Sequence, residues 1–365
     1  MNWRIHKPCA PIGIDIGRRR IRAVQLRRSS SAWRVEAAAV MPRSRPGVPI
    51  ERSEIRELGA LLAKESFRGD GVVLPVPADK LLTGILELPP RASGAPIEQI
   101  SRSELARMHR CDQDSLEIAC WDLPAPARAR EATHVMAVGC LHADANALLD
   151  AFEAEGLDVL GLEVYASAAA RACAPLLADV NGIAAILDIG GGRADLVLLY
   201  KGVVVYERKL AKGGITPLIE LLANDPKLDG KAVRKLLVEK PDKSATGKKK
   251  RSQKGIKKIH AAIEAHAKAM IEEMRIPLSY LGNQYPDAAM ERLLLIGGAV
   301  ELPVLAGGEG LVGMKAHLDR GLEFDVRIVA PGDLVECPGH FDKEFGPDLT
   351  VAIGLGQFSR GKVTW

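Results

Sequence analysis

The sequence predicts an α/β fold of two similar halves around one cleft. A repeated hairpin carries this prediction. Residues 184–199 read Ala-Ala-Ile-Leu-Asp-Ile-Gly-Gly-Gly-Arg-Ala-Asp-Leu-Val-Leu-Leu. Short apolar runs bounded by glycine read as buried strands. Residues 12–26 read Ile-Gly-Ile-Asp-Ile-Gly-Arg-Arg-Arg-Ile-Arg-Ala-Val-Gln-Leu. Asp15 there stands where Asp188 stands in the other copy, and Gly17 stands where Gly190 stands. A third β-like run follows each copy, at 33–41 and 203–210. Internal repetition of this kind fixes architecture before any single motif does.

Composition agrees with a chain of this kind. It has 365 residues, 47% of them hydrophobic, which suits two globular domains. Aromatic residues make up only 4%, so the core must be aliphatic. A net charge of +4 does not by itself point to nucleic acid. Cys9, Cys111, Cys120, Cys140, Cys173 and Cys337 form no C-x-x-C pair. They read as reduced thiols, neither disulfides nor metal ligands. No apolar run approaches the length of a membrane span. Residues 1–11 lack the apolar segment of a signal peptide, so a cytoplasmic product is expected.

Taken in order, 12–41 forms the first hairpin unit and 42–49 a proline-rich loop. Ser53 is expected to cap a helix through Ser66, with Ile55, Leu58, Leu61 and Leu62 on one face. Strands follow at 72–77, 80–88, 117–122 and 133–141, with helices at 98–108 and 144–155. The block 72–156 reads as a small α/β subdomain inserted in the first half, which begins at 1–71. Residues 157–181 are a connecting segment: a strand, then an alanine-rich helix from Glu163 to Leu177. The second half covers 182–350. Its segment 227–258 is strongly basic, with Lys248, Lys249, Lys250 and Arg251 consecutive. Such a run reads as a solvated loop, and no aromatics interleave it for base stacking. A long helix at 259–283 carries Ile259, Ile263, Ala267, Met270, Ile271 and Met274 on one stripe. Pro277 is expected to kink or split it. A strand at 292–296 ends in Gly297-Gly298. Helix at 304–318, strand at 324–330 and a closing helix and tail at 351–365 complete the chain.

Gly190, Gly191 and Gly192 expose backbone N–H groups and let a phosphate approach closely. The adjacent Asp188 has the chemistry to hold Mg²⁺ through water. Residues 308–313 match G-x-G-x-x-G, but that fingerprint must directly follow a strand, and 302–306 intervenes. No P-loop motif occurs.

The paired hairpins resemble the two phosphate motifs of the actin, Hsp70, FtsA and sugar-kinase superfamily. Residues 293–299, Leu-Leu-Leu-Ile-Gly-Gly-Ala, resemble its adenosine loop. Residues 163–170 and 351–356 resemble its two connecting helices. Within the superfamily the chain resembles the PilM family of type IV pilus assembly proteins. The supporting residues are Leu-Glu-Leu-Pro-Pro at 86–90, Gly-Leu-Asp-Val-Leu-Gly-Leu-Glu at 156–163, Gly213-Gly214, and Arg-Ile-Pro-Leu-Ser-Tyr at 275–280.

The resemblance implies an actin-like fold, a duplicated ribonuclease H-like one, around a nucleotide cleft with the inserted subdomain in its first half. It implies ATP and Mg²⁺ as cofactors. Asp15 and Asp188 would serve the metal. Gly17, Arg18, Arg19, Gly190, Gly191, Gly192, Gly213, Gly214, Gly297, Gly298 and Ala299 would line the nucleotide, with Asp15 and Asp188 beside them. Glu163 resembles the residue that positions water in relatives, and Asp188 would share the catalytic role. Two departures weaken turnover. Arg18, Arg19 and Arg20 replace the hydroxyl residue after the first glycine, and Arg193-Ala194 replaces a threonine in the second motif. Arginine still grips phosphate bidentately, so binding with weak or absent hydrolysis is expected.

The implied partner is the short cytoplasmic N-terminal peptide of a PilN-like inner-membrane protein, within a pilus or related secretion assembly complex. The chain would then be peripheral at the inner membrane. Its groove is expected between the first hairpin unit and the inserted subdomain, near 72–88. Arginines at 18–22 with Arg27 and Arg28 are expected to face an anionic leaflet. Two other readings compete. A kinase of the same fold needs a catalytic base in the first half, where Asp70 is the one glycine-flanked candidate. An FtsA-like filament former would self-associate and end in an amphipathic membrane helix, which 356–365 does not resemble.

Overall fold

The computed structural model describes residues 9–29, 32–127, 129, 131–223, 253–300, 313–339 and 341–359. Residues 227–252 of the basic segment, 308–312 of the G-x-G-x-x-G match and most of the helix expected at 304–318 lie outside the described residues.

The same sheet is built twice. In the first half, β1 (Ile12–Ile16), β2 (Arg20–Arg28), β3 (Trp33–Pro42), β4 (Gly71–Pro75) and β8 (Asp158–Glu163) lie in the order β3-β2-β1-β4-β8. In the second, β9 (Ile183–Ile189), β10 (Ala194–Tyr200), β11 (Val203–Leu210), β12 (Met290–Ile296) and β13 (Asp325–Ile328) lie in the order β11-β10-β9-β12-β13. The two antiparallel pairs and two parallel pairs fall at the same places in both. Parallel neighbours need crossover connections, and helices supply them. The helices are α1 (Arg52–Lys64), α2 (Ile97–His109), α3 (His142–Glu153), α4 (Tyr165–Leu177), α5 (Ile215–Ala223), α6 (Gln253–Gln284), α7 (Met314–Gly321), α8 (Pro331–Leu334), α9 (Phe341–Glu344) and α10 (Thr350–Gly356).

A separate three-stranded sheet, β5 (Leu82–Leu88), β7 (Thr133–Leu141) and β6 (Leu116–Asp122), forms the insertion, covered by α2. This sheet starts later than the boundary at 72 implied. β4 sits between β1 and β8 in the first-half sheet, and Leu148 and Phe152 of α3 are buried with Ile12, Ile14 and Ile55. Apolar runs such as 72–75 fit either location, because local pattern does not say which sheet a strand joins. Trp121 Nε1 donates to the Val204 carbonyl at 2.9 Å, and the Tyr285 hydroxyl donates to the Pro124 carbonyl at 2.9 Å. The small sheet is therefore tied to the second half.

Two helices cross between the halves. α4 and α10 pack where Ala166, Ala168, Ala169, Ala172, Gly354 and Gly356 remove side-chain bulk. A Cβ at Gly354 would lie 1.9 Å from the Ala168 carbonyl oxygen, so only glycine permits this contact.

Three local expectations change. The cap of α1 is Glu51, not Ser53: Glu51 and Glu54 form a reciprocal capping box. Arg43 then pairs with Glu54 at 2.8 Å, with Glu54 fully buried. Pro277 lies inside α6 without dividing it. The buried stripe continues past it through Leu281 and Tyr285, and that packing outweighs the missing hydrogen bond. Glu163 ends β8 instead of starting α4.

Candidate functional site

Asp15 and Asp188 occupy equivalent ends of β1 and β9. Each is the penultimate residue of its strand, so each side chain opens toward the turn that follows. Burial raises the pKa of both. For Asp188 the value reaches about 6, with the Asp15 charge adding to the rise. The two carboxylates are thus close enough to feel each other.

A guanidinium stands beside Asp15. Arg22 Nη1 donates to Asp15 Oδ2 at 3.0 Å, and Arg22 Nε donates to Asp348 Oδ2 at 3.0 Å. Burial opposes the arginine charge, but Asp15 and Asp348 overcome this and raise its pKa. Nη1 also sits against Gly17: a Cβ there would lie 2.7 Å away. The remaining nitrogen, Nη2, lies beside Gly298. Arg22 is therefore an interior cleft residue and not part of the basic surface read at 18–22. Arg27 is likewise engaged, bonding Glu36, and Arg28 lies over the Trp33 ring at 5.6 Å.

Arg18 and Arg19 are exposed and reach across to the second hairpin. Arg18 Nη1 lies against Gly192, and the Arg19 side chain against Gly191. The glycine turn itself is held by α5. The Ile215 and Thr216 amides donate to the Gly190 and Gly191 carbonyls at 3.1 and 2.8 Å. Gly213 and Gly214 back this turn from behind. Gly297 adopts φ +93° immediately after β12, and Asp188 Oδ1 fills the space a side chain would take. The Ala299 amide returns to the Ile189 carbonyl at 3.2 Å.

The residues expected to line the nucleotide thus lie around the two hairpin turns and the 297–299 loop. Glu163, expected to position water, is instead held by Arg171 at 2.6 Å, and Arg171 also donates to the Gly354 carbonyl. Three contributors were absent from the sequence reading. Tyr165, at the start of α4, donates its hydroxyl to Asp188 Oδ2. Asp195 lies across from Asp188 on β10. Asp348 precedes α10. The register of the repeated hairpin could have pointed to Arg22 and Asp195. Nothing local marks Asp348.

Magnesium does not fit this arrangement as it stands. Asp15 and Asp188 each have an oxygen committed, to Arg22 and Tyr165. Mg²⁺ demands near-octahedral oxygen ligands, and a guanidinium beside Asp15 repels it. Among the described residues no group of three or more His, Cys, Asp or Glu is placed to hold a metal ion.

A family described as "Type IV pilus assembly protein PilM" matches residues 13–356. The chain belongs to the PilM family. One similar solved structure is described as a PilM-PilN type IV pilus biogenesis complex. It shares 21% identity over 95% of this chain and 97% of that one, with a TM-score of 0.71. The ethanolamine utilization protein EutJ from Carboxydothermus hydrogenoformans shares 15% identity over 97% and 91%, with a TM-score of 0.52. Ta0583, an archaeal actin homolog, shares 11% over 95% and 98%, with a TM-score of 0.46. With its twice-built sheet, the PilM-family chain has the actin-like fold. Among the described residues no helix is long and apolar enough to cross a membrane.

Proposed function

We propose that this PilM-family chain is a nucleotide-binding scaffold. It docks the short cytoplasmic N-terminal peptide of a PilN-like inner-membrane protein and is held peripherally at that membrane by its partner. The observation that carries the nucleotide part is the convergence of Asp15, Asp188, Gly17, the 190–192 turn and Gly297-Gly298 on one cleft. The adenine nucleotide would enter there, with phosphates toward the glycine turn and Arg18 and Arg19. Hydrolysis is slow or absent in this reading. Glu163 is committed to Arg171, and Asp188 is committed to Tyr165, so neither is free to activate water.

The partner assignment is supported by family membership and by the PilN bound in the related complex. The groove belongs on the outer edge of β5, since β4 is interior to the first-half sheet. Among the described residues β5 pairs only with β7, and Ile85 is 38% exposed on it. An extended peptide would add a strand there and seat apolar side chains. Titration with the N-terminal peptide of the neighbouring PilN-like protein tests this. Ile85→Glu should abolish binding while leaving the fold intact. Undiminished binding by that variant would move the groove elsewhere, and a peptide that never binds would sink the partner assignment.

A further inference from the structure

We infer that this site takes its nucleotide without a divalent cation, with Arg22 occupying the place where a metal would bridge carboxylate and phosphate. The inference rests on the proposed nucleotide binding and goes beyond it. Arg22 stands between Asp15 and Asp348, at 3.0 Å from each, and against Gly17 in the first phosphate turn. Two of its nitrogens are committed to carboxylates, and Nη2 still lies beside Gly298. The guanidinium is thus fixed with a donor toward the glycines that would receive the nucleotide. Its pairing with two carboxylates also holds it in place before any ligand arrives, so little ordering remains to be done on binding.

The charge of the ligand has other partners. Arg18 and Arg19 lie over Gly192 and Gly191 from the opposite hairpin, and both are exposed. Guanidiniums therefore stand at both turns, Arg22 at Gly17 and Gly298 and Arg18 and Arg19 at Gly192 and Gly191. Arginine matches phosphate oxygens in a planar fork and is never deprotonated. A polyphosphate chain neutralised this way has no need of Mg²⁺. A bound Mg²⁺ would instead have to displace Arg22 from Asp15 or sit against its charge. The hairpin of the second half has Asp195 at the position of Arg22. The equivalent position of the second hairpin thus carries an anion where the first carries a cation.

The test is a calorimetric titration of the intact chain with ATP and with ADP, in excess Mg²⁺ and in EDTA. Expected is the same affinity in both conditions, within about twofold, for the unaltered protein. Arg22→Gln should lose about tenfold or more in EDTA, and Mg²⁺ should restore much of that loss, because Asp15 is then open to a metal. Arg19→Ala, an exposed change that keeps the fold, should weaken binding equally with and without Mg²⁺. Binding by the unaltered chain only when Mg²⁺ is present overturns this inference and leaves the nucleotide assignment standing. No binding in either condition overturns both.

Discussion

Arg22 and Asp195 hold the same position in the two halves. Each lies directly across the hairpin from the aspartate of the preceding strand, Asp15 or Asp188. The duplication therefore sets a cation in one half against an anion in the other. In the first half the pair is a salt bridge. In the second half two carboxylates face each other, and Arg193 turns back to bond Asp195 at 3.1 Å. The cleft is consequently asymmetric, although its backbone is nearly duplicated.

Removing the guanidinium should destabilise the free protein. Arg22→Gln leaves Asp15 and Asp348 without a buried partner, which costs about 3–5 kcal/mol. Urea unfolding at pH 7 measures it. The gap to the unaltered protein should narrow as pH falls, because burial raises the pKa of the Asp15 carboxyl and its protonation removes an unpaired buried charge. A gap that stays constant from neutral to mildly acidic pH would mean that the cluster is not electrostatically coupled.

Asp188→Asn should have the opposite effect on stability. The folded-state pKa of Asp188 is raised, from 3.8 to about 6. Its favourable contribution is therefore fully present below pH 3.8 and lost as pH rises through about 6. Above that range the buried carboxylate is a burden. Asparagine keeps an oxygen to accept from Tyr165 and carries no charge. The variant should gain on the order of 1 kcal/mol at pH 8, after discounting for partial exposure. It should gain nothing near pH 3. Thermal melts at the two pH values decide the point.

Much of this was legible in the chain, and the parts that were not have a common cause. The repeat gave Asp15, Asp188 and the glycine turn, because a hairpin is written in consecutive residues. The stripe of α6 was equally legible, from Ile259 to Met274, since helical period is local. Arg22 was read as one member of a basic patch. Its role depends on Asp348, which lies 326 positions away, and on which side of the turn faces the cleft. Neither is local. Tyr165 lies within 163–170, the stretch that resembles a connecting helix, but there Glu163 draws the attention, and the fold turns Glu163 toward Arg171. The cap of α1 was misplaced because Glu51 competes with Ser53, and the buried Arg43 settles it by drawing in Glu54.

The tie between the small sheet and the second half should be breakable alone. Trp121→Phe keeps the ring in its apolar setting but removes the donor to the Val204 carbonyl. A buried carbonyl left unpaired costs about 1–3 kcal/mol. Amide exchange should quicken in β6 and at the β11 edge together, with the first-half sheet unaffected. Acceleration throughout the chain would mean that this contact supports the whole fold instead.

The pair beneath the first turn offers a sharper pH signature. Arg43 bonds Glu54 through two nitrogens, at 3.0 and 2.8 Å, and also donates to the Val48 and Pro49 carbonyls. This bonding holds the Glu54 carboxyl down, from 4.5 to about 2. For a depressed acid, the stability is present above the unfolded value of 4.5 and lost as pH falls through about 2. The difference corresponds to about 3 kcal/mol at neutral pH. Glu54→Gln should therefore lose about that much at pH 7, plus the capping contact to the Glu51 amide. Because Arg43 also reaches the Gly17 carbonyl at 3.4 Å, loosening it should relax the turn that carries Arg18 and Arg19. Nucleotide affinity should then fall in Glu54→Gln even under conditions where the variant remains fully folded. Unfolding curves across pH 2–7, paired with a nucleotide titration at pH 7, separate the two effects. A variant that loses stability yet binds nucleotide unchanged would show that the 43–54 pair supports α1 without shaping the cleft.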